Sequence, residues 1–109
     1  MSRRLDTVLL PAGSLAAASV EATPLAQSER YAVDVIWGAG VTAGVVEVDA
    51  GPYKGYTGAW TNLATFTIGS GSVAASMDQW RGSGPFGAIR ARITTAVNGA
   101  GVQAVLREN

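Results

Sequence analysis

Apolar and polar residues alternate in short runs along most of this chain, and glycine-rich segments separate the runs. From Ile89 to Ile93 the alternation places Arg90 and Arg92 on one face of a strand and the apolar residues on the other. Residues 30–38 show the same pattern with larger side chains. Their apolar face carries Tyr31, Val33, Val35 and Trp37. No run has a convincing helical period, so the pattern predicts an all-β protein.

Runs of this kind recur at regular spacing, which is typical of sandwiches and jelly rolls. The candidate strands are residues 6–10, 30–38, 41–50, 60–68, 73–80, 86–95 and 102–107. The Asn98-Gly99 pair before the last of them predicts a hairpin turn. We therefore predict a single antiparallel β-sandwich, jelly-roll-like, with about seven to eight strands. It would occupy residues 14–109, with residues 1–13 as an N-terminal arm or edge strand.

The two best strands also predict where the core lies. The face of residues 30–38 that carries Trp37 should meet the face of the arginine strand that carries Ile89 and Ile93 across the core. Phe66 should lie between these faces. In the strand over residues 41–50, the valines at positions 46 and 48 share the inward side.

Composition removes several classes of function. The 109 residues include no cysteine and no histidine, which excludes disulfides, thiol nucleophiles, zinc-finger ligand sets and a Ser-His-Asp triad within this chain. Eight basic residues balance eight acidic ones, and nucleic-acid binding needs a cationic surface, so no nucleic-acid partner is expected. No apolar run approaches the length of a membrane span or a signal peptide, so we expect a soluble, non-secreted protein without a membrane partner.

The best candidate binding site is the glycine- and tyrosine-rich segment over residues 51–60. Tyr53, Tyr56 and Trp60 are amphipathic rings of the kind that stack on sugars or anchor protein interfaces. The competing interpretation, which is favoured, is that Trp60 fills the core under the loop and the tyrosines cover it.

Charged residues offer weaker candidates. Asp34, Glu47 and Asp49 could supply oxygen ligands to calcium, but a solvated or ion-paired strand face is the favoured interpretation and no metal or cofactor is expected. Arg90 and Arg92 could bind phosphate or an acidic partner surface, or could pair with the carboxylates at positions 47 and 49 on a neighbouring strand, which is the favoured alternative.

Two catalytic interpretations are rejected. The Gly-Ala-Gly and Gly-Ser-Gly segments at residues 38–40 and 69–71 precede no helix, so they form no phosphate loop. A glycosidase would need two acids flanking a cleft, which a sandwich of this size rarely holds. We therefore predict no catalytic residues and no enzyme activity.

An ordered series of segments in the second part of the chain resembles small β-sandwich virion proteins of tailed bacteriophages. It begins with residues 31–37, Tyr-Ala-Val-Asp-Val-Ile-Trp, and continues with residues 60–67, Trp-Thr-Asn-Leu-Ala-Thr-Phe-Thr. Residues 86–93, Phe-Gly-Ala-Ile-Arg-Ala-Arg-Ile, come next, and a glycine-rich turn into a last apolar strand closes the series at residues 98–106. The resemblance covers roughly residues 30–106. The family includes capsid decoration, head-fibre and tail accessory proteins.

The resemblance implies a non-enzymatic structural protein of a virion assembled in the host cytoplasm, most simply a capsid decoration protein that docks on the coat lattice. Its partners would be the major capsid protein or other virion subunits and further copies of itself, with a trimer as one option. The alternative is a carbohydrate-binding module or a receptor-binding domain of a tail or fibre, with a glycan as ligand. The predicted interface residues are Arg3, Arg4, Val8, Leu9 and Leu10 of the N-terminal segment, together with Arg90 and Arg92.

Overall fold

Every regular element in the described part of the chain is a β-strand. The computed structural model describes residues 5–16, 19–24, 30–83 and 86–108, and nine strands lie within them. They are β1 (Leu5–Ser14), β2 (Ser19–Ala22), β3 (Arg30–Trp37), β4 (Val45–Gly51), β5 (Thr61–Ile68), β6 (Gly71–Ser72), β7 (Met77–Ser83), β8 (Ala88–Thr95) and β9 (Val102–Glu108). No helix among these residues is long and apolar enough to cross a lipid bilayer.

The strands form two sheets with the order of a jelly roll. One sheet has four strands in the order β1-β9-β3-β7, and the other has five in the order β2-β8-β4-β5-β6. All pairings are antiparallel except the short contact between β5 and β6. Apart from the two-residue β6, consecutive strands change sheet at every connection but the one from β4 to β5, which is the double Greek-key pattern of a jelly roll. The predicted all-β sandwich is confirmed.

The core lies between the two sheets and uses the faces that alternation predicted. The side chains of β3 that point inward are Tyr31, Val33, Val35 and Trp37, and all four are buried. Those of β8 are Ile89, Ala91 and Ile93, which are also buried. Phe66 packs against this core while staying partly exposed. Each fully buried large apolar side chain contributes about 1.5–3 kcal/mol relative to exposure, so the two strands supply much of the driving force for folding.

The N-terminal strand lies at the edge of the four-stranded sheet, where it pairs with β9. The register of that pairing shifts between Val8 and Leu10, and such a bulge breaks the strict alternation of a strand. Because of it, the adjacent Leu9 and Leu10 are both buried in the core of their own chain. The prediction that these two leucines form an interface with another subunit is therefore wrong. Val8 stays exposed, and Arg3 and Arg4 lie outside the described residues.

The turn at Asn98-Gly99 forms, but it does not close a hairpin. The backbone N–H of Gly101 donates to the carbonyl of Asn98 at 3.1 Å, yet β8 and β9 belong to different sheets, so the turn carries the chain around a corner of the sandwich. Gly99 has a φ of 62°, and a Cβ there would lie 2.5 Å from the carbonyl carbon of Gly40. The predicted hairpin is wrong because an Asn-Gly turn specifies the local reversal of the chain and not the sheet that the next strand joins.

Candidate functional site

The loop over residues 51–60 joins β4 to β5 and folds across the outer face of the five-stranded sheet. Its tip is a turn, in which the N–H of Tyr56 donates to the carbonyl of Tyr53 at 3.2 Å. The loop reaches the edge strand β2, where the N–H of Gly55 donates to the carboxylate of Glu21 at 2.6 Å. Gly55 has a φ of 90°, in the left-handed region that glycine adopts without strain. The loop is therefore held at both ends and near its tip.

Three aromatic rings of this loop form a series that continues to an arginine of β8. The ring centroids of Tyr53 and Tyr56 are 5.3 Å apart in an edge-to-face arrangement, and those of Tyr56 and Trp60 are 6.4 Å apart. The guanidinium of Arg90 lies 4.4 Å from the centre of the Trp60 ring, within the range of a cation–π contact. We call these four side chains the aromatic ladder.

Exposure decreases along the aromatic ladder from the loop tip to the sheet. Tyr53 is 58% exposed, whereas Tyr56 and Trp60 are half-buried. The indole N–H of Trp60 donates to the carbonyl of Tyr56 at 2.9 Å, and a Cβ on Gly51 would lie 2.8 Å from the Trp60 ring. The tryptophan thus lies against the outer surface of the sheet and not in the core between the sheets. This position differs from both sequence interpretations, since Trp60 neither fills the core nor is fully exposed.

A buried carboxylate lies beneath the aromatic ladder. Asp49 on β4 is 2% exposed although it points to the outer face of the sheet. The Nε of Arg90 donates to one of its oxygens at 2.8 Å, and the side-chain amide of Asn62 donates to the other at 3.0 Å. Arg92 forms an ion pair with Glu47 on the same face. The predicted pairing of the arginine strand with the carboxylates of β4 is confirmed, and both arginines are engaged within their own chain.

An open cavity of about 390 Å³ adjoins the loop at the end of the sandwich. Its lining includes Tyr56, Leu63 and Phe86. The ring of Phe86 makes edge-to-face contacts with Tyr31 at 5.4 Å and with Trp80 at 6.0 Å, so this wall of the cavity is the aromatic end of the core. A largely apolar concave surface beside exposed rings can accept an apolar side chain or the face of a sugar.

Burial also changes the acidity of the tyrosine behind this wall. Removal from water raises the pKa of the Tyr31 phenol above its usual value, and the negative charge of Glu108 raises it further. A hydrogen bond with the backbone of Phe86 acts in the opposite direction and is the smallest of the three effects. The phenol therefore stays neutral at physiological pH, as a ring in the core requires.

The other charged residues singled out in the sequence do not form a cation site. Asp34 lies on β3, in the four-stranded sheet, and accepts hydrogen bonds from Gln79 and Arg107. Glu47 and Asp49 lie on β4 in the other sheet, so the three carboxylates are not brought together. Across the described ranges, no three residues of the metal-binding types cluster closely enough to hold an ion.

Several contacts of the site had no signal in the sequence. Glu21 meets the loop tip over a separation of 34 residues, and Arg90 reaches the ring of Trp60 from another strand. The alternation of β8 predicted the face on which Arg90 lies, but the stacking of its guanidinium on Trp60 depends on how the loop folds. Leu63 and Phe86, which line the cavity, lie in segments that the sequence predicted as strands, and nothing in those segments predicted a cavity.

Comparisons with known proteins identify the fold. No protein-family model matches the sequence, and no curated protein matches it. Among solved structures, the SPBc2 prophage-derived protein YomS superposes with a TM-score of 0.67 at 9% identity, over 97% of this chain and 92% of that one. The K1 cleaved adhesin domain of Lys-gingipain from Porphyromonas gingivalis W83 superposes with a TM-score of 0.60 at 11% identity, over 95% of this chain and 72% of that one. At these identities the likeness establishes a shared fold.

Proposed function

We propose that this chain is a non-enzymatic structural protein of a tailed-phage virion, and specifically that it decorates the capsid by docking on the coat lattice. The observation that carries the proposal is the loop end of the sandwich. There Tyr53 projects from a loop pinned by Glu21, beside a cavity lined by Leu63 and Phe86. An exposed aromatic anchor next to an apolar recess is the usual composition of an interface hot spot.

The comparisons and the electrostatics support this proposal. The jelly roll is an architecture of viral capsid proteins, and the prophage-derived YomS matches almost end to end. The carboxylates of Asp49 and Glu47 on the outer face of β4 are each engaged by an arginine, an arrangement that holds a surface in place. Docking of this kind gains strength from repetition, because many copies bind one regular lattice.

Co-sedimentation tests the proposal directly. Purified protein should pellet with capsids isolated from the phage that encodes it and prepared without this protein. Tyr53→Ala should weaken that binding about tenfold or more, as loss of a hot-spot ring does. Val73→Ala is the matched control, since Val73 is 61% exposed and lies before β7 at the opposite end of the sandwich. Absence of binding to capsids, or an equal loss of binding in both variants, would overturn the proposal. Binding to tails alone would overturn the capsid location and would assign the protein to the tail apparatus.

A second candidate, glycan binding in a tail or fibre, is favoured by the contiguous rings of Tyr53, Tyr56 and Trp60. Sugars stack on such platforms, and polar groups beside them fix the orientation of the hydroxyls. The fold shared with the gingipain adhesin domain is compatible with an adhesive role.

Titration with glycans tests this second candidate. A ligand that stacks on the aromatic ladder should change the fluorescence of Trp60, and Tyr53→Ala should reduce its affinity about tenfold. Trp60→Phe should remove the fluorescence change while the protein stays folded, which separates Trp60 from the other two tryptophans. A glycan array without hits would rule the candidate out.

A further inference from the structure

The two outer faces of the sandwich differ in character. That of the five-stranded sheet carries ion pairs and is partly covered by the loop over residues 51–60. That of the four-stranded sheet, which we call the back face, also carries ion pairs, and it presents two large apolar side chains to solvent. Val8 is 53% exposed and Met77 is 54% exposed, at opposite edges of the sheet. Ile36, which is half-buried, and Val105, which is buried, lie between them.

The strand register arranges the back face in rows. In one row Asp6 on β1 pairs with Arg107 on β9, Arg107 with Ala32 on β3, and Ala32 with Arg81 on β7. The row therefore begins with a carboxylate at one edge and ends with a guanidinium at the other. Both edge residues are exposed, and each also has a partner in its own chain, since Asp6 contacts Arg107 at 3.3 Å and Arg81 donates to the side-chain oxygen of Gln79.

The centre of the back face is already neutralised. Asp34 is buried there and accepts hydrogen bonds from Gln79 and Arg107. The hydrogen bond to Asp34 raises the pKa of Arg107 above its usual value, so the guanidinium keeps its charge. A partner that covers this centre does not have to compensate an isolated charge, which would otherwise oppose association.

We propose that the back face binds a second copy of this chain, about a two-fold axis that runs parallel to the strands between β9 and β3. Such an axis turns β1 of each copy toward β7 of the other. Because Asp6 and Arg81 end the same row, it places the carboxylate of each copy opposite the guanidinium of the other, twice per dimer. It also turns Val8 toward Gln79 of the other copy, two residues along β7 from Met77. A two-fold axis in the same plane but at right angles to the strands would set β1 against β1 and would form neither pair.

The size of the back face limits the area that the dimer can bury. Four strands about 4.8 Å apart and about seven residues long, at roughly 3.3 Å per residue, cover roughly 450 Å² of flat area on each copy. Two such faces come close to the lower limit of about 1,000 Å² for a specific interface. The association is therefore concentration-dependent, and it breaks on dilution.

The geometry has a consequence for the loop end. An axis parallel to the strands leaves both loops over residues 51–60 pointing the same way, because sheets of a sandwich run within about 30° of each other. The dimer thus carries its two copies of Tyr53 at the same end, one beside each five-stranded sheet, and docking of both copies on one surface would gain from bivalency without any new contact. This last step rests on the proposed function, whereas the dimer itself does not.

Sedimentation equilibrium of the full chain over a range of concentrations tests the dimer. Met77→Lys and Val8→Lys should each weaken association at least tenfold, whereas Val73→Lys, an equally exposed site away from the back face, should leave it unchanged. Circular dichroism confirms that each variant keeps its strands. A chain that stays monomeric at about 1 mM, or a dimer that Met77→Lys does not weaken, would overturn the proposal.

Charge reversal tests the orientation of the two copies. Asp6→Arg and Arg81→Asp should each weaken the dimer, and the double variant should restore it, because the reversed charges again meet across the axis. A double variant that associates no better than the single ones would exclude this axis. Co-sedimentation of Met77→Lys with capsids separates the two proposals, since a monomer should still bind through Tyr53, only more weakly.

Discussion

Trp37→Ala is expected to lower the free energy of unfolding by about 3–5 kcal/mol, the usual cost of removing a large ring from a core. Trp37 is 1% exposed, at the end of β3 where it faces the opposite sheet. Its indole N–H donates to the carboxylate of Asp78 on β7 at 2.8 Å, so the substitution opens a cavity and also removes the partner of a half-buried charge. Since small domains are stable by about 5–15 kcal/mol, the variant should be close to unfolding.

Trp37→Phe is the matched control, because it keeps an aromatic ring in the core and removes only the donor to Asp78. We expect it to cost about 1.5–3 kcal/mol, the range for a hydrogen bond to a charged group, because the cavity that it opens is small. Urea denaturation of the three proteins with a common slope measures both values. If Trp37→Ala cost no more than Trp37→Phe, packing between the sheets would not be the main contribution of this residue.

Alternation of side chains predicted the strands and their buried faces, since these depend only on neighbouring residues. The inward face of β3 and that of β8 follow from a period of two, and burial of one face is what holds that register. The position of each strand in the fold had no comparable signal. The Asn98-Gly99 turn has the same local conformation whether the next strand pairs with β8 or crosses to the other sheet, and only the packing of the whole chain decides between them.

The bulge in β1 had no signal in the sequence either. Alternation assigns Leu9 and Leu10 to opposite faces, and the interface predicted from the sequence included both. The register shift beside Val8 brings both into the core, because two large apolar residues contribute more when buried than one bulge costs in lost pairing.

The candidate site was predictable in its residue types but not in its geometry. The residue types of Tyr53, Tyr56 and Trp60 made this loop the best candidate for binding, although a core role was the favoured interpretation, and the three rings lie in a contiguous series. Their anchoring by Glu21 spans 34 residues, and the guanidinium that stacks on Trp60 comes from another strand, so only the tertiary fold brings these contacts together.

The burial of Asp49 changes what the sequence predicted for its partner. Arg90→Ala would lower the free energy of unfolding by about 0–1 kcal/mol if the carboxylate of Asp49 were exposed, as for most surface ion pairs. Asp49 is instead 2% exposed, so removal of the guanidinium leaves a buried charge with one hydrogen bond from Asn62 and a more distant Arg92, whose Nε is 3.8 Å away. The loss also removes the cation from the face of Trp60.

We therefore expect Arg90→Ala to lower the free energy of unfolding by about 2–3 kcal/mol, less than the loss of an isolated buried partner because Asn62 and Arg92 remain. Arg92→Ala is the matched control on the same strand and should cost about 0–1 kcal/mol, since its partner Glu47 is partly exposed. A double-mutant cycle that combines Arg90→Ala with Asp49→Asn should show a coupling free energy of at least about 1 kcal/mol, because the second change removes the charge that the first leaves unpaired. Equal costs for the two arginines, together with a coupling near zero, would mean that Asp49 finds other compensation and that the ion pair does not hold the base of the aromatic ladder.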